Sequence, residues 1–408
     1  MKNPLLPIFL IVVVDILGLT IMLPLLPFYA ERYGASPSVV GLLVSSYAAC
    51  QLIAGPLLGS ISDQVGRKPV LLVSQIGTCV GFLVLAFAPN LAVIFLSRII
   101  DGLTAGNLSI AQAYIADVTA PKERSRAFAV IGIAFGFGFL VGPGISGLLS
   151  AHYGYEVPIL LAASMSFLSI LGTAFLLPRH APRAEAPLVA EVEAPVAPGG
   201  KRLRVFDWGR YLVYFRRPVL GGLLIEFFLF TFAFATFTGG FALFAERRFS
   251  WHGVPFGPKQ VGFIFAYSGL FGILVQGAMR QGALIRRLGE VRLVTAGFLT
   301  GAIGYALLGI SGGIAGLLVA ASFASFGNGV LRPALTSLIT QQVGRDEQGV
   351  VLGLNQSLLS VAQITAPALA GLLIDHGLLS AWALSAAAVT VLALVLNLRA
   401  NSQRTATA

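Results

Sequence analysis

The sequence predicts an all-α membrane protein with twelve transmembrane helices in two pseudo-symmetric six-helix bundles. Three observations predict it. The 408 residues are 56% hydrophobic and only 11% charged, with a mean hydropathy of +0.86, whereas soluble domains carry about 25% charged residues. Twelve apolar stretches approach or exceed the roughly 20 residues that a spanning helix needs. A charged stretch, GSISDQVGRKPVL from Gly59 to Leu71, also returns in weaker form as GALIRRLGEVR from Gly282 to Arg292. Such an echo marks a chain built of two related halves.

The spans fall near residues 6–29, 38–59, 70–89, 91–115, 126–150, 157–177, 218–245, 258–279, 292–311, 313–340, 349–373 and 377–398. They divide the chain into a first bundle (1–178), a linker (179–217) and a second bundle (218–408). An even number of spans leaves both termini on one side. That side holds about 21 of the 27 Lys and Arg residues, and the opposite loops hold Arg32, Arg247, Arg248 and Lys259. Positive charge collects on the cytoplasmic face of membrane proteins. Both termini are therefore expected in the cytoplasm, and the net charge of +10 reports topology and not a nucleic-acid partner.

Leu5 to Phe28 is too long for a signal-peptide core and reads as span 1. Asp15 lies about nine residues inside it, and Pro24 and Pro27 bend or end it toward the outer surface. Gly59–Leu71 concentrates Asp63, Arg67 and Lys68 between two apolar runs, so it is expected in a tight loop outside the hydrocarbon. Cys50 and Cys79 sit in apolar runs, which argues against a disulfide framework.

Span 4 places Arg98 and Asp101 three residues apart on one helix face. Gly102 and Gly106 allow a neighbouring helix to approach closely. Span 5 carries Gly132, Gly136, Gly138, Gly142, Pro143, Gly144 and Gly147, a density of helix breakers tolerable only where neighbours pack tightly. Residues 178–218 turn rich in Pro, Ala and Glu and read as a linker. The linker's end, FDWGRYLVYFRRP, reads as a short interfacial helix or a basic tether. Phe-rich span 7 either lines a pocket or packs against lipid and neighbouring helices. In the second half, Glu347 corresponds to Glu123, Ala366-Pro367 to Gly142-Pro143, and Gly329 to Gly106.

At these residues the sequence resembles the major facilitator superfamily over essentially its whole length. Gly59, Asp63, Gly66, Arg67, Lys68 and Leu71 match its loop 2–3 signature. Arg98, Gly102 and Gly106 resemble its proton-coupling motif, and Gly138, Gly142, Pro143, Gly144 and Gly147 its antiporter motif. The Asp15, Gly18, Pro24, Pro27 pattern is similar to the tetracycline/proton branch of twelve-span drug:proton antiporters. The resemblance implies a functional His in span 8 and an acid in span 9 for tetracycline exporters. Neither span has one here, and the four His residues (152, 180, 252 and 376) fall in loops or the linker. That argues against tetracycline as cargo. Asp101 stands where the family more often has a neutral residue.

Proton coupling needs a group with two protonation states inside the membrane, and a carboxylate near an arginine can be tuned for it. Of 17 acids, only Asp15, Asp101 and Glu226 fall well inside spans. Asp15 is the first candidate, with a structural hydrogen bond at the bend of span 1 as the alternative. Asp101 either couples or forms a static pair with Arg98. Glu226 is mid-helix counted from Val219, yet the repeat places it opposite Asn3, near the surface.

Arg332 is a candidate for an anionic substrate group, a carboxylate across the cavity, or a tie to cytoplasmic loops. Tyr47, Gln51, Asn107, Gln112, Asn328, Asn355, Gln356 and Gln363 are candidates for lining the cavity, or else for joining helices. Asp63, Arg67 and Lys68, with Gly59 and Gly66 and with Asp117 as partner, form a candidate cytoplasmic gate. Glu123 and Arg124 would extend it. In the echo, Arg286 stands in the place of Asp63, so that acid has no counterpart.

The expected function is proton-coupled export of amphipathic or lipophilic small molecules by alternating access. The alternatives are a proton-linked symporter, a lipid or glycolipid transporter of the same fold, or, more distantly, a non-transporting receptor or scaffold. With neither a Walker A motif nor zinc-ligand spacing, no enzyme activity, cofactor or metal is expected. The expected partners are a small-molecule substrate, protons and membrane lipids, with a monomer in a cell membrane, most simply a bacterial inner membrane.

Overall fold

The computed structural model describes residues 5–119, 124–177, 208–280, 283–344 and 347–406. The first half comprises α1 (Leu5–Arg32), α2 (Pro37–Val65), α3 (Arg67–Ala86), α4 (Leu91–Leu103), α5 (Asn107–Val118), α6 (Arg124–Tyr153) and α7 (Glu156–Leu176). A short α8 (Trp208–Arg216) precedes α9 (Pro218–Arg248), a two-stranded hairpin of β1 (Ser250–Trp251) and β2 (Val254–Pro255), α10 (Pro258–Arg280) and α11 (Ala283–Ile310). Then come α12 (Ile314–Gln341), α13 (Gln348–Asp375) and α14 (Leu379–Ala406). Among the described residues twelve spans are long and apolar enough to cross a membrane, with α4 and α5 forming one of them.

The charged stretch departs from its expected loop. Helix α2 runs on to Val65, and the chain leaves helical geometry only at Gly66, with φ 106°. Its echo breaks at Gly289, with φ 73°. Both are positive φ values that glycine alone adopts without strain. The helix persists because Asp63 and Arg67, four residues apart, pair across the break. Span 4 departs too. It breaks between Leu103 and Asn107, where the Ser74 hydroxyl of α3 donates to Thr104 O and accepts from Gly106 N at 2.9 Å. One side chain thus bonds two backbone groups of the break, beside the Gly106 N to Thr104 O bond at 2.7 Å.

The apolar core shows how the bundles meet. Toward the end of the molecule away from the chain termini, here the distal end, one continuous cluster joins Leu25, Tyr29 and Leu43 of the first half to Phe241, Phe244 and Trp382 of the second. Toward the terminal end it divides into two separate clusters, around Ile11 and Tyr114 in one bundle and around Leu224 and Phe298 in the other. The bundles are fused distally and parted terminally. Phe227, Phe230, Phe237, Phe241 and Phe244 of α9 are buried, so that helix is chiefly packing. Helix α8 realises the short helix expected before span 7, with Leu212 and Val213 exposed. Cys50 and Cys79 are free thiols.

Candidate functional site

The first bundle holds a polar centre built from five helices. Arg98 and Asp101, one turn apart on α4, are both buried, and Arg98 Nη1 donates to Asp101 Oδ2 at 3.2 Å. Thr78 of α3 also bonds Asp101, and the guanidinium lies 5.7 Å from the centroid of the Phe82 ring. Arg98 Nη2 is buried with no partner among the described residues.

On α1, Asp15 Oδ1 accepts from Ser169 Oγ of α7 at 3.0 Å, and that hydroxyl accepts from Gln75 Nε2 of α3 at 2.7 Å. Asp15 and Asp101 repel each other through space, and the Tyr47 hydroxyl of α2 lies within the field of both acids and of Arg98. With both acids ionised the centre carries one net negative charge. Binding one proton makes it neutral. Small residues allow this closeness: a Cβ on Gly102 would lie 2.7 Å from Tyr47 O, and one on Gly81 3.0 Å from Asp101 Cβ.

Glu226 belongs elsewhere. It is buried in the second bundle, where its Oε2 accepts from Asn397 Nδ2 of α14 at 3.0 Å. Asn397 Oδ1 accepts in turn from Thr295 Oγ1 of α11 at 2.6 Å. The structure does not bring Glu226 together with Asp15 and Asp101.

The gate residues assemble within the first bundle. Arg67 pairs with Asp63 at 2.5 Å and Asp117 at 2.8 Å, and donates to Ser62 Oγ at 2.7 Å. Lys68 Nζ donates to Ala174 O and Leu177 O at 2.7 and 2.6 Å, capping the carbonyl end of α7. Gly59 has open space around its Cα. Glu123 and the side chains of Arg124 and Arg286 lie outside the described residues. In the echo, Glu290 stands where Arg67 does, and its carboxylate accepts from Ser337 Oγ and Gln341 Nε2 at 2.8 and 2.9 Å. The duplicated joint is kept with its charge inverted.

The glycines of span 5 face two ways. Gly138 meets Ile16 and Gly142 meets Thr20, both on α1, while Gly144 and Gly147 face α10 of the other bundle, at Ala266 and Pro258. Gly262 of α10 packs on Pro143 O. The same lock recurs between α2 and α13, where Gly41 packs on Pro367 O and Gly371 on Pro37 O. All four helices carry Pro and Gly four residues apart: Pro37 and Gly41, Pro143 and Gly147, Pro258 and Gly262, Pro367 and Gly371. That fourfold spacing was a signal in the sequence. Further distal ties are Arg247 to Glu31 at 2.5 Å, Ser36 Oγ to Asp375 Oδ2 at 3.1 Å, and Ser45 Oγ to Ile364 O at 2.6 Å. Sequence reasoning named Pro143, Gly144 and Gly147 as a motif and none of the other groups in these ties as a site.

The candidate cavity residues divide. Gln112, Arg332 and Gln356 are exposed, and Tyr47, Gln51, Asn107, Asn328 and Gln363 are half-buried. Gln51 Nε2 donates to the Tyr47 hydroxyl at 3.4 Å, and Asn328 Oδ1 accepts from Tyr305 at 3.3 Å. Asn355 is buried with both amide atoms unbonded, and Asn107 Oδ1 is likewise unbonded. Among the described residues no cluster of His, Cys, Asp and Glu could hold a metal ion.

Comparison with known proteins gives a consistent set of relatives. The family model described as Major Facilitator Superfamily matches residues 8–289 and 256–406. The chain is 30% identical to the class C tetracycline resistance protein of Escherichia coli, covering 90% of this chain and 88% of that one. It is 28% identical to multidrug resistance protein 2 of Bacillus subtilis (strain 168), covering 89% and 86%. Among solved structures, the human organic anion transporter MFSD10 (TETRAN) superposes with a TM-score of 0.71 at 26% identity, covering 97% of this chain and 98% of that one.

Proposed function

Because this chain belongs to the Major Facilitator Superfamily, we propose that it exports amphipathic or lipophilic small molecules in exchange for protons, by alternating access. It is a multi-pass membrane transporter and not an enzyme. The observation that carries the exchange is the buried Arg98–Asp101 pair with a second, half-buried carboxylate, Asp15, in its electrostatic reach. One proton changes the centre's charge from negative to neutral, which lowers the cost of shutting it off from water. A proton taken from outside favours closure and return; its release inside restores the anion.

The distribution of basic residues supports cytoplasmic termini, which makes the distal end the external face. The bundles then meet outside and part inside, so the cavity faces the cytoplasm and takes up cargo there. Residues 1–178 and 218–408 are the two moving bodies, and residues 179–217 join them. Gly59, Asp63, Gly66, Arg67, Lys68 and Asp117 form a joint within the first bundle, ready to close the cytoplasmic side when the bundles rock together. The antiporter glycines form half of the external lock. The protein works as a monomer in a bacterial inner membrane. The relatives' names point to antibiotics and other drugs, and the missing span 8 histidine favours broad cargo over tetracycline.

The test is efflux of dyes and antibiotics by everted vesicles, comparing Asp15→Asn, Asp101→Asn and Arg98→Ala with wild type. Each is expected to abolish proton-dependent accumulation while leaving membrane insertion intact. Wild-type, proton-driven flux in all three variants would refute the coupling centre.

A further inference from the structure

Among the described residues, Arg332 is a charge without a counter-charge. It sits on α12, nine residues before the helix ends at Gln341 and next to Pro333, so about 13 Å inside the span at 1.5 Å per residue. The residue is exposed to solvent although it lies well inside the length of the span. Its one directed contact among the described residues is with the Phe135 ring of α6, 5.6 Å from the guanidinium carbon to the ring centroid. Phe135 belongs to the opposite bundle. No carboxylate among the described residues bonds Arg332. Other acids of the spans and their ends are engaged elsewhere: Glu290 with Ser337 and Gln341, Glu226 with Asn397, Asp101 with Arg98.

An arginine at this depth in a span is costly to retain. Phe135 recovers only part of that through its ring face. With no hydrogen-bond partner for its side chain among the described residues, the guanidinium keeps its N–H edge available, the fork that binds a carboxylate or sulfonate bidentately. Beside that edge lies an aromatic surface that accepts a flat apolar group. Cation and ring come from opposite bundles, so a ligand held by both would register how the bundles are placed.

We propose that Arg332 and Phe135 form a cargo subsite for the anionic group of an aromatic amphiphile, such as an aromatic carboxylate. This deepens the export reading and rests on it for the word cargo, whereas the binding of the anion stands by itself. A phospholipid phosphate offers similar chemistry, and the test separates the two.

The purified full-length protein is titrated with fluorescein, an aromatic carboxylate, and with ethidium, an aromatic cation, by fluorescence anisotropy. The measurements are made in detergent and in nanodiscs of phosphatidylcholine with or without phosphatidylglycerol. Wild type is expected to bind fluorescein. Arg332→Gln is expected to lower the ratio of fluorescein to ethidium affinity about tenfold or more, and Arg332→Lys to restore part of it. Phe135→Leu should lower fluorescein affinity more than Phe135→Tyr.

Absence of fluorescein binding to wild type overturns the subsite, as does an unchanged ratio in Arg332→Gln. Loss of fluorescein binding only when phosphatidylglycerol is present, with that lipid retained by wild type and not by Arg332→Gln in native mass spectrometry, assigns the site to lipid and overturns the cargo proposal. Fluorescein binding that depends on Arg332, with no efflux of any dye from vesicles, supports the subsite and refutes export.

Discussion

Arg247, in the last turn of α9, donates to Glu31, in the last turn of α1, at 2.5 Å, and so ties one bundle to the other across the distal face. The same guanidinium bonds Glu246 at 3.0 Å. The pair is partly exposed, and such pairs contribute up to about 1 kcal/mol. Arg247→Ala should therefore shift the equilibrium between distally closed and distally open states by at most about fivefold. Electron–electron distance measurements between spin labels on the distal ends of α1 and α9 would report it as growth of a longer-distance population. The variant Glu31→Arg with Arg247→Glu should return the distribution toward wild type.

A second prediction concerns Arg67, which joins Asp63 to Asp117. Asp63→Asn removes one of two carboxylates and Arg67→Ala leaves both without their shared cation. Both variants should insert normally and lose most transport, Arg67→Ala more completely. Vesicle efflux normalised to the amount of inserted protein measures this. Flux by Asp63→Asn equal to wild type would remove Asp63 from the gate.

The course of these features in the sequence explains what could be read there. Hydropathy placed the spans because an apolar run of the right length admits few other structures. The breaks were less legible. Ser74, thirty residues from Thr104, serves the gap in α4, and no local pattern announces a hydroxyl arriving from another helix. Gly66 and Gly289 were visible as echoes, but that α2 continues to Val65 depends on Asp63 and Arg67 pairing over the turn. The partner of Asp15 was hidden for the same reason, since Ser169 lies 154 residues away. Asp15, Arg98 and Asp101 were legible because ionisable groups in spans are few. Their joining of five helices around Tyr47 was not.

Gly41 and Gly262 occupy equivalent places, each receiving a proline carbonyl from the opposite bundle. A side chain at either position meets backbone that cannot step aside. Gly41→Val and Gly262→Val should therefore prevent the distal lock from closing and leave the protein open at that end. Cysteines placed near Ser45 should then label readily with an impermeant maleimide from outside. Gly55→Val, where the space is open, should label as wild type does.

Glu347 receives both arms of Arg217, at 2.7 and 2.8 Å, and the Tyr214 hydroxyl at 3.4 Å. The Arg217 hydrogen bonds hold its carboxyl below the usual carboxylate range. A group whose folded pKa is depressed adds stability at pH values above its unfolded value, about 4.3, and loses it as pH falls through the folded value. Glu347→Gln should thus lower the melting temperature slightly at pH 7, on the order of 1 °C for so exposed a pair. The difference from wild type should begin to shrink as pH falls below the unfolded value of about 4.3 and vanish only below the depressed folded value. Thermal unfolding followed by intrinsic fluorescence across that range checks the sign.

Glu226 offers the sharpest contrast with Asp15. Both are carboxylates within spans, yet Glu226 lies in the second bundle, bonded to Asn397, which joins Thr295. We expect its role to be cohesion of α9, α11 and α14. Glu226→Ala leaves the Asn397 amide without that acceptor and should cost about 1–3 kcal/mol of stability, whereas Glu226→Gln keeps an acceptor oxygen and should cost less. If Glu226 carried the proton, Gln would be as damaging as Ala, and the pH dependence of efflux would flatten in both. If it is structural, the two variants should differ in melting temperature while efflux per folded molecule keeps the wild-type pH profile. The corresponding pair at Asp15 should behave in the opposite way, with Asp15→Asn stable and uncoupled.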